Sequence, residues 1–199
     1  MRILLVCEAV DERDGWATYT NQLREELTRR GHTVAICCQR NPAESLVARF
    51  PPPVSLLSRP WNIWRAARLI RSAFRQFQPD IVHITVEPYL LTLPLLPRAI
   101  AQRSIGTLHG SFGLLIMPKQ PLAAMWVRWF GLQVYKRAGH FVAISHYTKQ
   151  AVLERYRHYQ HTQSDALSAK MTVVHNGIRL PDDTERPPVS EVHEIVCVG

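Results

Sequence analysis

Short apolar runs alternate with helical segments along nearly the whole chain, and this alternation constrains the fold most. Residues 2–7 form a short, mostly apolar run typical of a strand buried in a parallel sheet. Residues 16–30 then predict a helix that stops at Gly31, and residues 33–38 predict a second strand. A strand, a helix and a strand in this order form a βαβ unit with a right-handed crossover. The apolar stripe of the helix holds Trp16, Thr20, Leu23 and Leu27.

The rest of the chain continues the alternation. Further strands are predicted over residues 54–57, 81–84, 105–108, 141–144 and 171–174, and further helices over 61–77, 87–101, 121–137 and 145–157. Residues 158–169 are predicted to be polar and mobile. We therefore predict an α/β fold with a doubly wound, mostly parallel, Rossmann-like sheet.

The C-terminal end has a different composition. Residues 182–191 include Pro187 and Pro188 and predict a linker, and a new strand is predicted after it. The expected organisation is one Rossmann-like domain and a linker, followed by the first strand of a missing C-terminal domain. The corresponding boundaries are 1–180, 181–193 and 194–199.

The chain of 199 residues carries a net charge of +8, which favours anionic partners such as phosphates, nucleic acid or acidic lipid. The predicted helix over residues 61–77 places aromatic and basic side chains on one face, a combination that suits the headgroup region of an anionic membrane. A crossover helix with a solvated basic face is the simpler alternative. The residues of this face are Trp61, Trp64, Arg65, Arg68, Arg71 and Arg75.

Several classes of protein are disfavoured. The four cysteines form no Cys-x-x-Cys pair, so we expect reduced core residues, a cytoplasmic location and no metal site. No signal peptide is evident, and the most apolar run, residues 90–100, is too short to span a membrane. The glycine motifs of dinucleotide dehydrogenases, P-loop enzymes and α/β-hydrolases are absent from the sequence.

Two loops are predicted to meet at one edge of the sheet. The strand over residues 105–108 ends in His109 and Gly110, and Asp14 and Gly15 follow the first strand. Ligands of open parallel sheets bind beyond the carboxyl ends of the strands. A glycine before a helix exposes backbone N–H groups to a phosphate, although it is also common in ordinary loops. The histidine has an alternative role too, as a strand-end residue hydrogen-bonded to backbone.

Four segments in order resemble the N-terminal domain of a GT-B glycosyltransferase of the family 4 type. They are Gly15 with the helix that ends in residues 27–34, residues 79–84, residues 107–110, and residues 144–149 with 173–178. Two positions depart from the family pattern. The usual Gly-Gly is Asp14-Gly15 here, and the usual Pro-Asn-Gly is replaced by a histidine, Asn and Gly over residues 175–177.

The resemblance implies a hexosyltransferase-like enzyme that transfers a sugar with retention from a nucleotide-diphospho-sugar in a cleft between two domains. By the same resemblance His109 would act on the transferred sugar. Asp14, Gly15 and Gly110 would bind the donor phosphates, and Glu87 and Ser111 would line the acceptor cleft; a solvated loop carboxylate is the alternative for Glu87. No cofactor or metal is expected, because the nucleotide-sugar is a co-substrate.

The expected partners are that donor, a sugar, lipid-linked or small-molecule acceptor, and an anionic membrane surface, with no nucleic acid. The expected location is the cytoplasm, peripheral on the inner face of the membrane. Two alternatives keep the same fold: a non-catalytic anion- or membrane-binding module, and a GT-B-type sugar-nucleotide epimerase. With half a cleft, the 199-residue chain alone is expected to be catalytically silent.

Overall fold

A computed structural model describes residues 1–10, 14–41, 43–110, 121–159 and 164–177. Its centre is a six-stranded sheet in the order β2-β1-β3-β4-β5-β6, and all of its strand pairs are parallel. The predicted Rossmann-like α/β class is therefore confirmed. The strands are β1 (Arg2–Val6), β2 (Thr33–Cys37), β3 (Ile81–Ile84), β4 (Ser104–Leu108), β5 (His140–Ala143) and β6 (Met171–Val173).

The strand order reverses beside β1. This strand pairs with β2 on one side and β3 on the other, so Val6 lies opposite both Cys37 and Ile84. Open sheets bind ligands at such a reversal, beyond the carboxyl ends of the strands. The fold thus points to the loops after β1, β3 and β4.

Helices cover the two faces of the sheet unequally. α1 packs Leu23 and Leu27 against the buried side chains of Ile3 and Leu5 on one face. On the other face, α3 and a 3₁₀ helix pack over the main core. The helices are α1 (Gly15–Arg29), α2 (Pro53–Ser58), α3 (Pro60–Phe77), the 3₁₀ helix (Glu87–Leu95), α4 (Arg98–Ala101), α5 (Pro121–Arg137), α6 (His146–Tyr159) and α7 (Ser164–Ala169). None of them, over the residues described, is long and apolar enough to cross a membrane.

Local capping follows the sequence signals. The Asp14 carboxylate accepts a hydrogen bond from the Ala17 N–H at 2.9 Å, which caps α1. Gly31 has a φ of +81°, a conformation that side chains rarely adopt, and ends the turn after α1. The Ser145 hydroxyl accepts from the Thr148 N–H at 3.0 Å and caps α6, as predicted.

Three predicted elements differ from the structure. Residues 54–57 lie in helix α2 rather than in a strand, because Pro53 at the first helical position has the backbone angle that a helix needs. Residues 87–101 form a 3₁₀ helix and the short α4 instead of one α-helix, since Pro94 lacks an N–H to continue the ladder. Residues 158–169, predicted as mobile, contain α7. The predicted linker and C-terminal strand lie outside the described residues.

Two glycines allow close packing between elements. A Cβ on Gly106 in β4 would approach the Leu90 side chain to 2.6 Å, so the 3₁₀ helix lies directly on this strand. A Cβ on Gly139 would come within 2.1 Å of the Gln102 carbonyl oxygen. Because that oxygen belongs to the backbone, residue 139 must be glycine for α5 to turn into β5 as it does.

Candidate active site

A glutamate at the start of the 3₁₀ helix holds the loop after β4. Its Oε1 accepts hydrogen bonds from the backbone N–H groups of His109, at 2.8 Å, and Gly110, at 3.1 Å. Burial raises the pKa of Glu87, although the two N–H donors oppose that shift. The sequence predicted that Glu87 lines the acceptor cleft. In the structure, its carboxylate binds the turn that carries His109.

The His109 ring is fixed on three sides. Its Nε2–H donates to the Thr85 carbonyl oxygen at 2.9 Å, so in the neutral ring the proton is on Nε2 and Nδ1 has a free lone pair. Tyr19 meets the ring edge-on at 4.9 Å between centroids, and Trp16 lies tilted at 6.4 Å. Burial lowers the pKa of His109, which favours the neutral form near pH 7.

A polar network lies beneath this histidine. His83 Nε2 is 2.8 Å from the Thr107 hydroxyl, which also lies 3.3 Å from the Tyr19 hydroxyl. The hydroxyls of Thr20 and Thr85 are 2.9 Å apart. Burial lowers the pKa of His83 to about 4, so its ring is neutral and joins β3 to β4. The network holds α1 against the strand ends and thereby positions Tyr19.

The first turn of α1 lies at the same edge. Besides capping the helix, the Asp14 carboxylate forms an ion pair with Arg40. Desolvation raises the pKa of Asp14, but the hydrogen bonds from Ala17 and Arg40 outweigh it and the net pKa is lowered. A Cβ on Gly15 would have no atom within 4 Å, and its φ is not in the left-handed region. No described residue therefore requires glycine here, and none of them fills the space in front of Gly15.

The structure brings together most of the residues that the sequence singled out for this edge. Glu87 accepts hydrogen bonds from the N–H groups of His109 and Gly110. Asp14 and Gly15 lie at the start of α1, and Trp16, the next residue of this helix, lies against the His109 ring. Ser111 lies outside the described residues. The aromatic and basic face of α3 forms a separate surface. None of the described residues form a group of three or more metal-ligating side chains.

Sequence reasoning missed three contributors to the site. Thr85 is a polar residue directly after β3, which is the signal that could have identified it. Trp16 was assigned to the apolar stripe of α1, yet it also touches the His109 ring. Tyr19 had no sequence signal, because its contact with His109 depends on how α1 crosses the sheet.

The chain resembles solved structures weakly. No curated protein sequence matches the chain significantly. Among solved structures, an alpha-glucosyltransferase in complex with UDP is 15% identical with a TM-score of 0.41, over 73% of this chain and 35% of that one. Two further alpha-glucosyltransferase structures, one with UDP and DNA and one with UDP-glucose and DNA, are each 14% identical. Their TM-scores are 0.42 and 0.45, over 88% of this chain and 41% and 42% of theirs.

The chain thus spans less than half the length of these structures. The expectation that nucleic acid is not a partner stays a prediction. The model of Glycosyltransferase Family 4 matches residues 13–181, which include α1, the 3₁₀ helix and the His109 turn. In agreement with the resemblance in its motifs, the chain belongs to Glycosyltransferase Family 4.

Proposed function

We propose that this chain is the acceptor-side domain of a glycosyltransferase that moves a sugar from a nucleotide-diphospho-sugar to an acceptor with retention of configuration. The observation that carries the proposal is a neutral, oriented histidine at the carboxyl edge of a family 4 sheet. His109 has its Nε2–H committed to Thr85 and its ring enclosed by Tyr19 and Trp16.

The chemistry of transfer suits this arrangement. The bond between the anomeric carbon and the diphosphate oxygen breaks, and the nucleoside diphosphate leaves as an anion. The acceptor oxygen bonds to the anomeric carbon while its proton passes to the departing diphosphate. The sugar becomes electron-poor at the transition state. A neutral imidazole with a free Nδ1 lone pair can accept from a sugar hydroxyl without placing a positive charge beside that centre.

Glu87 acts through the histidine in this proposal. Its Oε1 holds the N–H groups of His109 and Gly110, so the turn is fixed before substrate binds. Preorganised polar groups of this kind need no reorientation during the reaction. Glu87 is therefore a positioning residue, and the acceptor cleft lies beyond it.

The donor phosphates would lie in front of α1. The open space at Gly15 lets a phosphate approach the first turn, where the helix dipole favours negative charge. The Asp14 carboxylate would repel a phosphate at this position, but its ion pair with Arg40 offsets part of the repulsion. We propose that a second domain, reached through residues 181–193, supplies most of the donor contacts, and that this chain alone is therefore inactive.

The acceptor is a sugar, a lipid-linked molecule or a small molecule, reached in the cytoplasm at the inner face of the membrane. The co-substrate is the nucleotide-sugar, with no separate cofactor.

The test uses the full-length protein with a panel of uridine and guanosine diphosphate sugars. We expect release of nucleoside diphosphate that depends on an acceptor, and a product whose anomeric configuration by NMR equals that of the donor. Inverted configuration would contradict retention. Exchange of solvent deuterium into the donor sugar without transfer would support an epimerase instead, and binding without turnover would support a non-catalytic module.

A further inference from the structure

The outward face of α3 carries an exposed aromatic pair. The rings of Trp61 and Trp64 stack at 4.9 Å between centroids, and their residues are 69% and 45% exposed. The Arg68 guanidinium lies 5.7 Å from the Trp64 ring centroid, a cation–π contact. Leaving two stacked indoles in water is unfavourable, so this pair is suited to an interface with a partly apolar partner.

The pair lies at the same end of the sheet as the candidate active site. Phe77, the last residue of α3, accepts from the Arg2 side chain at the start of β1 at 2.8 Å. The helix therefore ends at the amino edge of the sheet and begins at the carboxyl edge. Trp61, in its first turn, is consequently on the side where His109 and Gly15 lie.

Among the described residues, the arginines of α3 form no ion pair with an acidic side chain. The helix itself contains no Asp or Glu. Arg65 and Arg71 donate to the carbonyl oxygens of Arg49, at 3.0 Å, and Leu95, at 2.9 Å. Arg68 and Arg75 are exposed.

The basic surface continues beyond α3. Arg137 of α5 donates to the carbonyl oxygens of Pro94 and Leu96, on either side of the residue that Arg71 binds. Beside it lies a pocket of about 550 Å³ without any acidic residue in its lining. The basic residues of the pocket are Arg98, Lys136, Arg137 and Lys170.

We propose that the Trp61–Trp64 pair and the exposed Arg68 and Arg75 form a docking surface for an anionic lipid bilayer, which the basic pocket extends. Tryptophan is favoured at the headgroup level, and each arginine near an anionic bilayer adds favourable electrostatic energy. The charge of the surface complements anionic lipid along the length of α3, from the tryptophan pair at the carboxyl edge of the sheet to the basic pocket at the amino edge. This inference rests on the peripheral membrane location proposed above and assigns that location to one surface of the chain. Vesicle binding by this surface can be measured without any transferase activity.

The test is sedimentation with phosphatidylcholine vesicles that contain phosphatidylglycerol, compared with pure phosphatidylcholine vesicles. Wild-type protein should pellet with the anionic vesicles, and high salt should release it because the Debye length falls. Arg68→Gln with Arg75→Gln should weaken vesicle binding about fivefold for each arginine. Arg71 is left intact, since its anchor on Leu95 makes any change ambiguous.

Matched controls lie elsewhere on the chain. Arg29→Gln with Arg30→Gln removes the same charge from α1, on the opposite face of the sheet, and should leave vesicle binding nearly unchanged. Trp61→Ala should weaken binding, whereas Tyr147→Ala, at a residue 73% exposed on α6, should not. Equal losses in the α1 and α3 variants would overturn the proposal. So would binding of the wild type to a short DNA duplex, lost in the α3 variant, without binding to vesicles.

Discussion

At the scale of single residues, the carboxylate of Glu87 connects the fold to the candidate chemistry. One oxygen serves two backbone donors on a loop 22 and 23 residues away. Because burial raises its pKa, the neutral form is less costly in this environment than it is for an exposed glutamate. A neutral amide at this position should therefore preserve the loop.

Substitutions at Glu87 test this interpretation. Glu87→Ala leaves the N–H groups of His109 and Gly110 without their acceptor and should lower the free energy of unfolding by about 1–3 kcal/mol. Glu87→Gln keeps an oxygen acceptor and should lose less than half as much, as measured by urea unfolding. If both variants lose the same stability, the hydrogen bonds to the turn are not the source of the effect.

The half-buried His83, whose ring joins β3 to β4, makes the stability of the protein depend on pH in the acid range. Its pKa is about 4 when folded and 6.5 in the reference state, so the unfolded chain binds more protons between these values. The contribution of neutral His83 to the free energy of unfolding is fully present above pH 6.5 and is lost as the pH falls towards 4. It amounts to about 3 kcal/mol.

Urea unfolding at about pH 7 and about pH 4.5 measures this response. His83→Gln should reduce the loss of stability on acidification, with a smaller loss remaining from His109, whose pKa is also lowered. An unaltered loss in His83→Gln would show that other groups cause it.

At the scale of elements, the sequence predicted the parallel sheet because its strands are short apolar runs and its helices carry clear stop signals. The strand over residues 81–84 was predicted with the observed bounds. Residues 54–57 were wrongly assigned because their apolar pattern does not distinguish a strand from one helical turn. The site was predicted where a strand ends in a histidine, whereas Tyr19 joins it only through tertiary packing, which no local pattern reveals.

The contact between α4 and the start of β5 leads to a prediction for Gly139. Gly139→Ala would place a methyl group against the Gln102 backbone oxygen, and we expect a loss of more than about 2 kcal/mol in the free energy of unfolding. Gly15→Ala is the matched control, since its methyl group would enter open space. Thermal unfolding should show a large decrease in Tm for the first variant only. A small decrease for Gly139→Ala would mean that this turn can move.

At the scale of the whole molecule, one sheet edge gathers the functional elements. The order reversal beside β1 opens the crevice, α1 and the His109 turn border it, and the tryptophan pair of α3 lies at the same end. The proposed donor site needs a second domain opposite this edge. Stability, donor binding and membrane contact therefore depend on different residues and can be separated by mutation.

Whether His109 acts on the transferred sugar is tested most directly by the kcat of His109→Ala in the full-length protein. The dissociation constant of the nucleotide is measured in parallel. If His109 acts on the transferred sugar, kcat falls roughly a hundredfold while nucleotide affinity changes little. His32→Ala, directly before β2 at the opposite edge of the sheet, should retain full activity as the control. A near-normal kcat in His109→Ala would contradict a role of His109 in sugar transfer and leave this histidine a structural role alone.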